Sequence, residues 1–148
     1  MNNFDLIVVG AGPAGILAAG RAAELGSRVL ILEKMRLPGR KLLITGKGRC
    51  NVTNDAAIGD FIKRVSPKGK FLKSAFANYF SKDIIKLLED QGVEFSLERG
   101  GRYFPVSNQA KDVLEALLKW VEDLKVEIRC GFKVEKLLVN DQVLKGVV

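Results

Sequence analysis

The stretch Asp5–Gly15, DLIVVGAGPAG, decides the fold class of this 148-residue chain. Its apolar run, Leu6–Val9, is typical of a parallel strand that is covered on both faces. The three glycines that follow fit the spacing G-x-G-x-x-G, which allows a tight turn, close backbone approach to a pyrophosphate and close helix–strand packing. These glycines are Gly10, Gly12 and Gly15. The pattern predicts an α/β nucleotide-binding turn.

The residues after the turn extend this prediction to a strand–helix–strand unit. Pro13 suits the first helical turn, where its missing N–H costs nothing, and Ala14 follows it. The free N–H groups and the dipole at this helix start favour an anion such as a pyrophosphate. The next strand, predicted over Arg28–Leu32, ends at Glu33, where a carboxylate can accept hydrogen bonds from an adenosine ribose. Glu33 disfavours the 2′-phosphate of NADP but does not separate FAD from NAD.

A second motif, Gly39–Asn54, reads GRKLLITGKGRCNVTN and favours FAD. Glycine-rich backbone and cations within one loop can present N–H groups and guanidinium forks to anionic oxygens. The neutral side chains of Asn51, Thr53 and Asn54 suit hydroxyl groups or the edge of a flavin ring. No acid occurs between residues 34 and 54, whereas six cations do: Lys34, Arg36, Arg40, Lys41, Lys47 and Arg49.

With these motifs in place, the chain resembles a family of FAD-dependent oxidoreductases known as aminoacetone-oxidase-like flavoproteins, which includes a dehydro-bile-acid reductase. The shared segments are VVGAGPAG, LEK, the second motif and GRYFPVSNQAKDVLEAL, and the likeness runs from about Asp5 to Val139. Many members have glycine where this chain has Lys47. The resemblance implies a tightly held FAD without implying one substrate. It also places the adenine beside the strand after Gly131, through the backbone of Val134.

The residues expected to bind the cofactor come from both motifs and from the resemblance. They are Gly10, Gly12, Pro13, Ala14, Gly15, Glu33, Lys34, Arg40, Lys41, Thr45, Gly46, Gly48, Arg49, Cys50, Asn51, Asn54 and Val134.

Catalytic residues are not identified by the sequence. The chain has no histidine, and its two cysteines predict no metal site. Neighbouring cations could lower the pKa of the Cys50 thiol and make it redox-active. Packing of a small residue beneath the loop is the favoured interpretation, because no second cysteine lies nearby in sequence to resolve a disulfide. The flavin itself is expected to carry the chemistry.

The fold expected is a Rossmann-like FAD-binding fold with a helical and hairpin insertion and the start of a β-meander. Residues 1–37 form the dinucleotide-binding βαβ unit, 38–108 the basic loop and insertion, and 109–148 a helix, a third strand and the opening hairpin. Within the insertion, Phe71–Phe80 predicts one helix and Ser81 caps a second. Asn108 is expected to cap the helix that follows. Because family members are much longer, the chain is interpreted as the N-terminal portion of a larger enzyme.

The net charge of +7 is concentrated in residues 34–82, where twelve Lys and Arg face only Asp55 and Asp60. One group of cations there surrounds Phe61, Phe71 and Phe76. A solvated face with its phenylalanines in the core is favoured over a nucleic-acid surface, although an RNA-modifying flavoenzyme stays open as an alternative. This second cation group consists of Lys63, Arg64, Lys68, Lys70, Lys73 and Lys82.

The function predicted is therefore an FAD-dependent oxidoreductase acting on a small molecule, with NAD(P)H as a candidate electron donor. A non-catalytic NAD-binding module is a further alternative. The start of the chain lacks the basic region of a signal peptide, no stretch is apolar enough to cross a bilayer, and the cysteine content fits a reducing compartment. We expect a cytoplasmic protein with no nucleic-acid or membrane partner, while its oligomeric state is open.

Overall fold

The computed structural model describes residues 4–65 and 68–148. Its strands are β1 (Leu6–Val9), β2 (Val29–Glu33), β3 (Thr53–Asn54), β4 (Phe95–Glu98), β5 (Arg102–Pro105), β6 (Glu127–Cys130), β7 (Leu137–Asn140) and β8 (Val143–Val147). Its α-helices are α1 (Pro13–Glu24), α2 (Arg40–Ile44), α3 (Ile58–Arg64), α4 (Lys73–Asn78), α5 (Ser81–Asp90) and α6 (Ala110–Asp123). Short 3-10 turns span Thr45–Gly48 and Gly69–Leu72.

The chain divides into two compact units. The first comprises Met1–Leu43 together with Leu117–Val148, and the second comprises Ile44–Ala116. Helix α6 starts in the second unit and ends in the first.

The first unit is built on a parallel sheet in the order β1-β2-β6. Val8 of β1 pairs with Ile31 of β2, which in turn pairs with Ile128 of β6. Strand β2 is the central strand and is buried from Val29 to Leu32, as expected of a strand covered on both faces. These observations confirm the predicted Rossmann-like fold and its third strand.

Helix α1 packs tightly on one face of this sheet. Its buried residues, Ile16, Ala19 and Gly20, form one stripe along the helix. Gly20 leaves the space that the buried Trp120 ring occupies, because a Cβ atom built on Gly20 would lie 2.2 Å from the ring. Trp120 is therefore a packing residue.

The hairpin of β7 and β8 follows β6 and turns at Asp141 and Gln142. Both turn residues have positive φ, of 49° and 62°, as a two-residue hairpin turn with the right twist requires. The first strand of the hairpin begins at Leu137. Apolar side chains of the hairpin stay exposed: Leu137, Leu138, Val139, Val143 and Leu144.

The second unit contains an antiparallel sheet in the order β3-β5-β4. The apolar residues of this region are only partly buried, since Val93 and Phe104 are buried whereas Leu97 is 54% exposed. The single helix predicted over Phe71–Phe80 is instead a 3-10 turn followed by the shorter α4.

The start of α5 differs from the prediction as well. Ser81 is the first residue of the helix rather than its cap, and its hydroxyl lies 2.8 Å from that of Thr53. The Asp83 carboxylate accepts a hydrogen bond from the backbone N–H of Phe80 at 2.6 Å. A carboxylate in the first turn thus satisfies the N–H group before the helix, which leaves Ser81 free to bond across the unit.

None of the helices in residues 4–65 and 68–148 has the length and apolar character required to cross a membrane.

The Gly20–Trp120 contact generates a stability prediction. Gly20→Ala should lower the free energy of unfolding by up to about 2 kcal/mol, because overpacking costs about 1–3 kcal/mol and the gain in helix propensity returns only about 1 kcal/mol. Urea unfolding of the purified protein measures the change. The matched control is Gly59→Ala in α3, where a Cβ atom meets nothing within 4 Å and stability should rise slightly. Equal effects of the two substitutions would contradict the packing argument.

Candidate nucleotide-binding site

The glycine turn between β1 and α1 has the geometry that its spacing predicts. Gly10 has a φ of +101°, which favours glycine, and its N–H donates to the Leu32 carbonyl at 2.8 Å. A Cβ atom on Gly15 would lie 2.0 Å from the Gly10 carbonyl oxygen, so the helix can approach the strand only with glycine there. A Cβ atom on Gly12 would meet nothing within 4 Å. The backbone at Gly12 therefore borders open space.

This open space adjoins the N-terminus of α1. Gly12 is the N-cap residue and contributes no side-chain hydrogen bond, while Pro13 occupies the first turn. The first N–H groups of a helix have no partner within it. With Pro13 contributing none, the N–H groups of Ala14 and Gly15 are the first that the helix end offers to an anion.

Glu33, at the end of β2, is held by backbone donors on two sides. Its Oε2 accepts a hydrogen bond from the N–H of Ala11 and its Oε1 accepts one from the N–H of Met35, both at 2.8 Å. These bonds lower the pKa of the Glu33 carboxyl, with smaller help from the charge of Lys34. A carboxylate has about four acceptor positions. Each Glu33 oxygen therefore keeps the capacity to accept a ribose hydroxyl.

The second motif begins beside the first. The N–H of Gly39 donates to the Ala11 carbonyl at 2.8 Å, and Gly39 is itself buried with a φ of +66°. Arg40 and Lys41 then open α2, and both side chains are exposed. The sequence singled out these cations but missed Gly39, although its place at the head of the motif was the available signal.

The remainder of the second motif lies in the second unit and forms a hydrogen-bonded 3-10 turn. The 3-10 turn contains three successive residues with positive φ, which are Gly46 at 56°, Lys47 at 59° and Gly48 at 86°. A left-handed conformation is easy for glycine and strained for lysine. Glycine would therefore adopt the conformation of Lys47 at a lower energetic cost than lysine does. A side chain on Gly46 would collide with the Asn51 N–H and the Phe104 ring.

Arg49 is held by contacts within the second unit. Its guanidinium forms an ion pair with Glu98, and its Nε donates to Asn108 Oδ1 at 2.6 Å. The guanidinium carbon also lies 4.1 Å from the ring centroid of Phe104. These contacts give Arg49 a role in fixing the turn. The prediction that Asn108 caps α6 is therefore wrong. Asn108 has a φ of +56° and precedes the first residue of α6 by two positions. Its side chain is hydrogen-bonded to Arg49 and to the Val106 carbonyl.

Cys50 is buried beneath this turn. Its exposed fraction is 3%, and burial raises the pKa of the Cys50 thiol despite a hydrogen bond with Thr45. The lowered pKa considered from neighbouring cations is therefore wrong. Packing beneath the loop, the favoured interpretation, agrees with this burial.

Other members of the expected set differ in their surroundings. Asn54 is engaged by its own unit, since its amide donates to the Gly100 carbonyl at 2.7 Å and its Oδ1 accepts from the Ala56 N–H. The side chain of Asn51 is exposed. Lys34, in the first unit, is exposed as well.

Val134 lies after β6 and lines a cavity of about 500 Å³ in the first unit. The sheet residues Ile7, Leu30 and Leu32 form its floor, and Val147 of the hairpin contributes to its wall. Most of its lining residues are apolar, and Arg129 and Lys133 add two cations.

The two motifs are thus distributed over the two units. Ten expected residues belong to the first unit: Gly10, Gly12, Pro13, Ala14, Gly15, Glu33, Lys34, Arg40, Lys41 and Val134. Seven belong to the second: Thr45, Gly46, Gly48, Arg49, Cys50, Asn51 and Asn54. Within the described part of the chain, no three His, Cys, Asp or Glu side chains group together as metal ligands.

Comparison with known proteins agrees with this geometry. The family model described as HI0933-like protein Rossmann domain matches residues 4–147. The ribosomal RNA dihydrouridine synthase of Escherichia coli (strain K12) is 34% identical over 135 residues, which cover 90% of this chain and 33% of that protein. The 3-dehydro-bile acid delta(4,6)-reductase of Clostridium scindens is 35% identical over 135 residues, 90% of this chain and 32% of that protein. The chain thus spans about a third of the length of these curated relatives.

A solved structure shares the fold. The 3-ketosteroid-delta4-(5alpha)-dehydrogenase of Rhodococcus jostii RHA1 superposes with a TM-score of 0.69 at 18% identity, over 93% of this chain and 40% of that one.

The Glu33 contacts predict a pH-dependent stability difference. Glu33→Gln turns an N–H₂ group toward one of the two backbone donors, which cannot pair with it. The substitution should therefore lower the free energy of unfolding by about 1–2 kcal/mol near neutral pH. Because the folded-state pKa of Glu33 lies below its ordinary value of 4.5, the wild-type advantage is complete above pH 4.5 and shrinks as the pH falls through the folded-state pKa. Urea unfolding of both proteins from neutral to acidic pH measures the difference. A difference that grows on acidification would refute this assignment.

Proposed function

Since the chain belongs to the family of HI0933-like protein Rossmann domains, we propose that it is the FAD-binding part of a flavin-dependent oxidoreductase. The observation that carries the proposal is the open space at Gly12, set between the start of α1 and the Glu33 carboxylate. In this fold a pyrophosphate lies against such a glycine and a ribose against such a carboxylate.

The residues present fit an ADP-containing cofactor. The N–H groups of Ala14 and Gly15 would bind the pyrophosphate, and the Glu33 oxygens would orient the ribose hydroxyls. Val134 would contact the adenine through its backbone, as the family resemblance implies. When bound, FAD supplies an isoalloxazine ring that accepts and donates electrons.

The second motif distinguishes FAD from NAD in this proposal. Arg40 and Lys41 would offer exposed charge to anionic oxygens, and the turn at Thr45, Gly46 and Gly48 would offer backbone N–H groups. Asn51 and Asn54 would serve polar edges of the cofactor, whereas Arg49 and Cys50 would hold the turn in shape. Lys34 is the remaining cation of the proposed set.

The proposed domain organisation follows from these roles. Residues 1–37 form the dinucleotide-binding βαβ unit, 38–108 the basic motif and insertion, and 109–148 the third strand with its flanking helix and hairpin. We assign no catalytic residue within them, so orientation of the cofactor is the contribution of this part of the protein. A cytoplasmic location is part of the same proposal.

The first candidate substrate is a small molecule with a reducible double bond, with NAD(P)H as electron donor. It is supported by the similarity of this chain to the Clostridium scindens protein, which is a 3-dehydro-bile acid reductase. The second candidate is a uracil base in RNA. It is supported by the similarity of this chain to the Escherichia coli protein, which is a ribosomal RNA dihydrouridine synthase. Reduction of the uracil 5,6 double bond yields dihydrouridine. Either substrate accepts a hydride and a proton, so both fit one flavin chemistry.

The cofactor site is tested by comparing two glycine substitutions in the full-length protein. Gly12→Val should fold, because its side chain enters open space, but should lose flavin because that space is filled. Gly15→Val should fail to fold because of the Gly10 carbonyl. Absorbance near ~450 nm, from the flavin ring, and chromatography of the released cofactor provide the measurement. A folded Gly12→Val variant with full flavin would show that the site is misplaced, and a colourless wild type that takes up NAD would support the non-catalytic alternative.

The two substrates are separated by single-turnover reduction. The dithionite-reduced holoprotein is mixed without oxygen with either a steroid 4-ene-3-one or a ribosomal RNA transcript. The first candidate predicts rapid flavin reoxidation by the steroid alone. The second predicts reoxidation by RNA, together with uridines that gain two hydrogens by mass spectrometry. Reoxidation by neither substrate would leave the flavin assignment intact and exclude both probes as substrates.

A further inference from the structure

The segment around Phe71 exposes an aromatic ring among cations. Phe71 is 75% exposed, although the sequence pattern favoured a core position for it. The lysines closest in sequence, Lys68, Lys70 and Lys73, are exposed as well. We call these four residues the Phe71 surface.

The exposure of Phe71 is fixed by the way its turn is anchored. Gly69, two residues earlier, is buried, and a Cβ atom there would lie 2.3 Å from the Ile62 carbonyl oxygen. The turn is therefore pressed against α3 at its first residue. Phe71, two residues after this anchor, faces solvent.

Neighbouring phenylalanines already fill the small core of this segment. The rings of Phe61, Phe76 and Phe80 pack against one another with centroids 5.0–5.5 Å apart. Edge-to-face arrangements at this spacing are the favoured geometry for aromatic side chains. Phe71 takes no part in this cluster, so its ring is available to another partner.

The charge of the surface is not neutralised by neighbouring acids. Between Phe61 and Lys82 the sequence contains no Asp or Glu. Lys63 is paired with Asp60, whereas the described residues offer no carboxylate partner to Lys68, Lys70 or Lys73. Three unpaired lysines within three residues of Phe71 create a local positive field that attracts polyanions.

From these observations we propose that the Phe71 surface binds single-stranded nucleic acid. A base stacks on the Phe71 ring while Lys68, Lys70 and Lys73 contact the flanking phosphates. Stacking on an aromatic ring together with cations along the backbone is the usual way in which proteins hold unpaired nucleotides. The surface is distinct from the glycine turn and Glu33, and its binding requires no flavin.

A membrane surface is the competing partner for cations near an aromatic ring. Interfacial binding requires a broad apolar face on an amphipathic helix. Helix α4 instead exposes Lys73, Ser74, Ala75, Ala77 and Asn78, and Leu72 is only half-buried beside Phe71. A single exposed phenylalanine fits a base better than it fits a bilayer.

The test is fluorescence anisotropy of the holoprotein with a fluorescein-labelled RNA of about 12 unpaired nucleotides. Phe71→Ala should raise the Kd at least about fivefold, whereas Phe71→Tyr, which keeps a stacking ring, should stay near the wild-type Kd. Leu25→Ala is the matched apolar control, because Leu25 is 71% exposed and belongs to the first unit. It should leave the Kd unchanged.

The charge contribution is measured separately by the dependence of binding on salt. Lys70→Glu should reduce the slope of log K against log salt by at least about 0.7, the value for one phosphate contact on a single strand. Lys145→Glu makes the same charge change at an exposed site of β8 and should affect the slope less. Equal slopes for the two variants would overturn the assignment of this surface.

Binding to vesicles of phosphatidylcholine with phosphatidylserine tests the competing hypothesis of a membrane partner. The proposal fails if Phe71→Ala and Leu25→Ala bind RNA equally, or if the wild type binds vesicles and not RNA. Phe71→Leu sharpens the comparison, because leucine preserves membrane insertion but not stacking. Flavin absorbance is recorded for every variant. A colourless wild type would refute the proposed FAD site without affecting the RNA result. A protein that holds flavin but does not bind RNA would refute only this inference.

Discussion

The first unit depends on the paired hydrogen bonds of the Glu33 carboxylate. One oxygen holds the N–H of Ala11 in the glycine turn, and the other holds the N–H of Met35 as the chain leaves β2. The Ala11 carbonyl is in turn bonded by Gly39. Charge-assisted bonds of this kind are about twice as strong as neutral ones. They fix the ends of β1 and β2 and the start of the second motif as one framework at the carboxyl edge of the sheet.

Arg49 serves the second unit in a comparable way. Its side chain connects a turn with strained backbone to Glu98 and Asn108, which are 49 and 59 residues further along the chain. The planar guanidinium can pair with a carboxylate and cover an aromatic ring at once, which a lysine ammonium cannot do. The strained conformation of Lys47 is therefore held by its neighbour. Glu98 and Asn108 are functional in this indirect sense, because they maintain the turn on which cofactor contacts are proposed.

The sequence predicts the first unit well because its signals are local. Gly10 and Gly15 are required by backbone geometry within a few residues, and the ends of β1, α1 and β2 follow from that spacing. It predicts the second unit less well because the deciding contacts are distant. The bond of Ser81 to Thr53 and that of Asn108 to Arg49 remove two expected helix caps. Neither contact has a signature in the residues next to it.

The exposure of Phe71 is another feature that the sequence does not predict, and it bears on the choice between the two candidate substrates. Apolar periodicity cannot distinguish a core phenylalanine from an exposed one, and only the packing of Phe61, Phe76 and Phe80 shows that the cluster is complete without it. An exposed ring with unpaired lysines close in sequence can stack on an unpaired base while the cations contact phosphates. RNA binding by the Phe71 surface, as proposed above, would suit the candidate substrate that is a base in RNA.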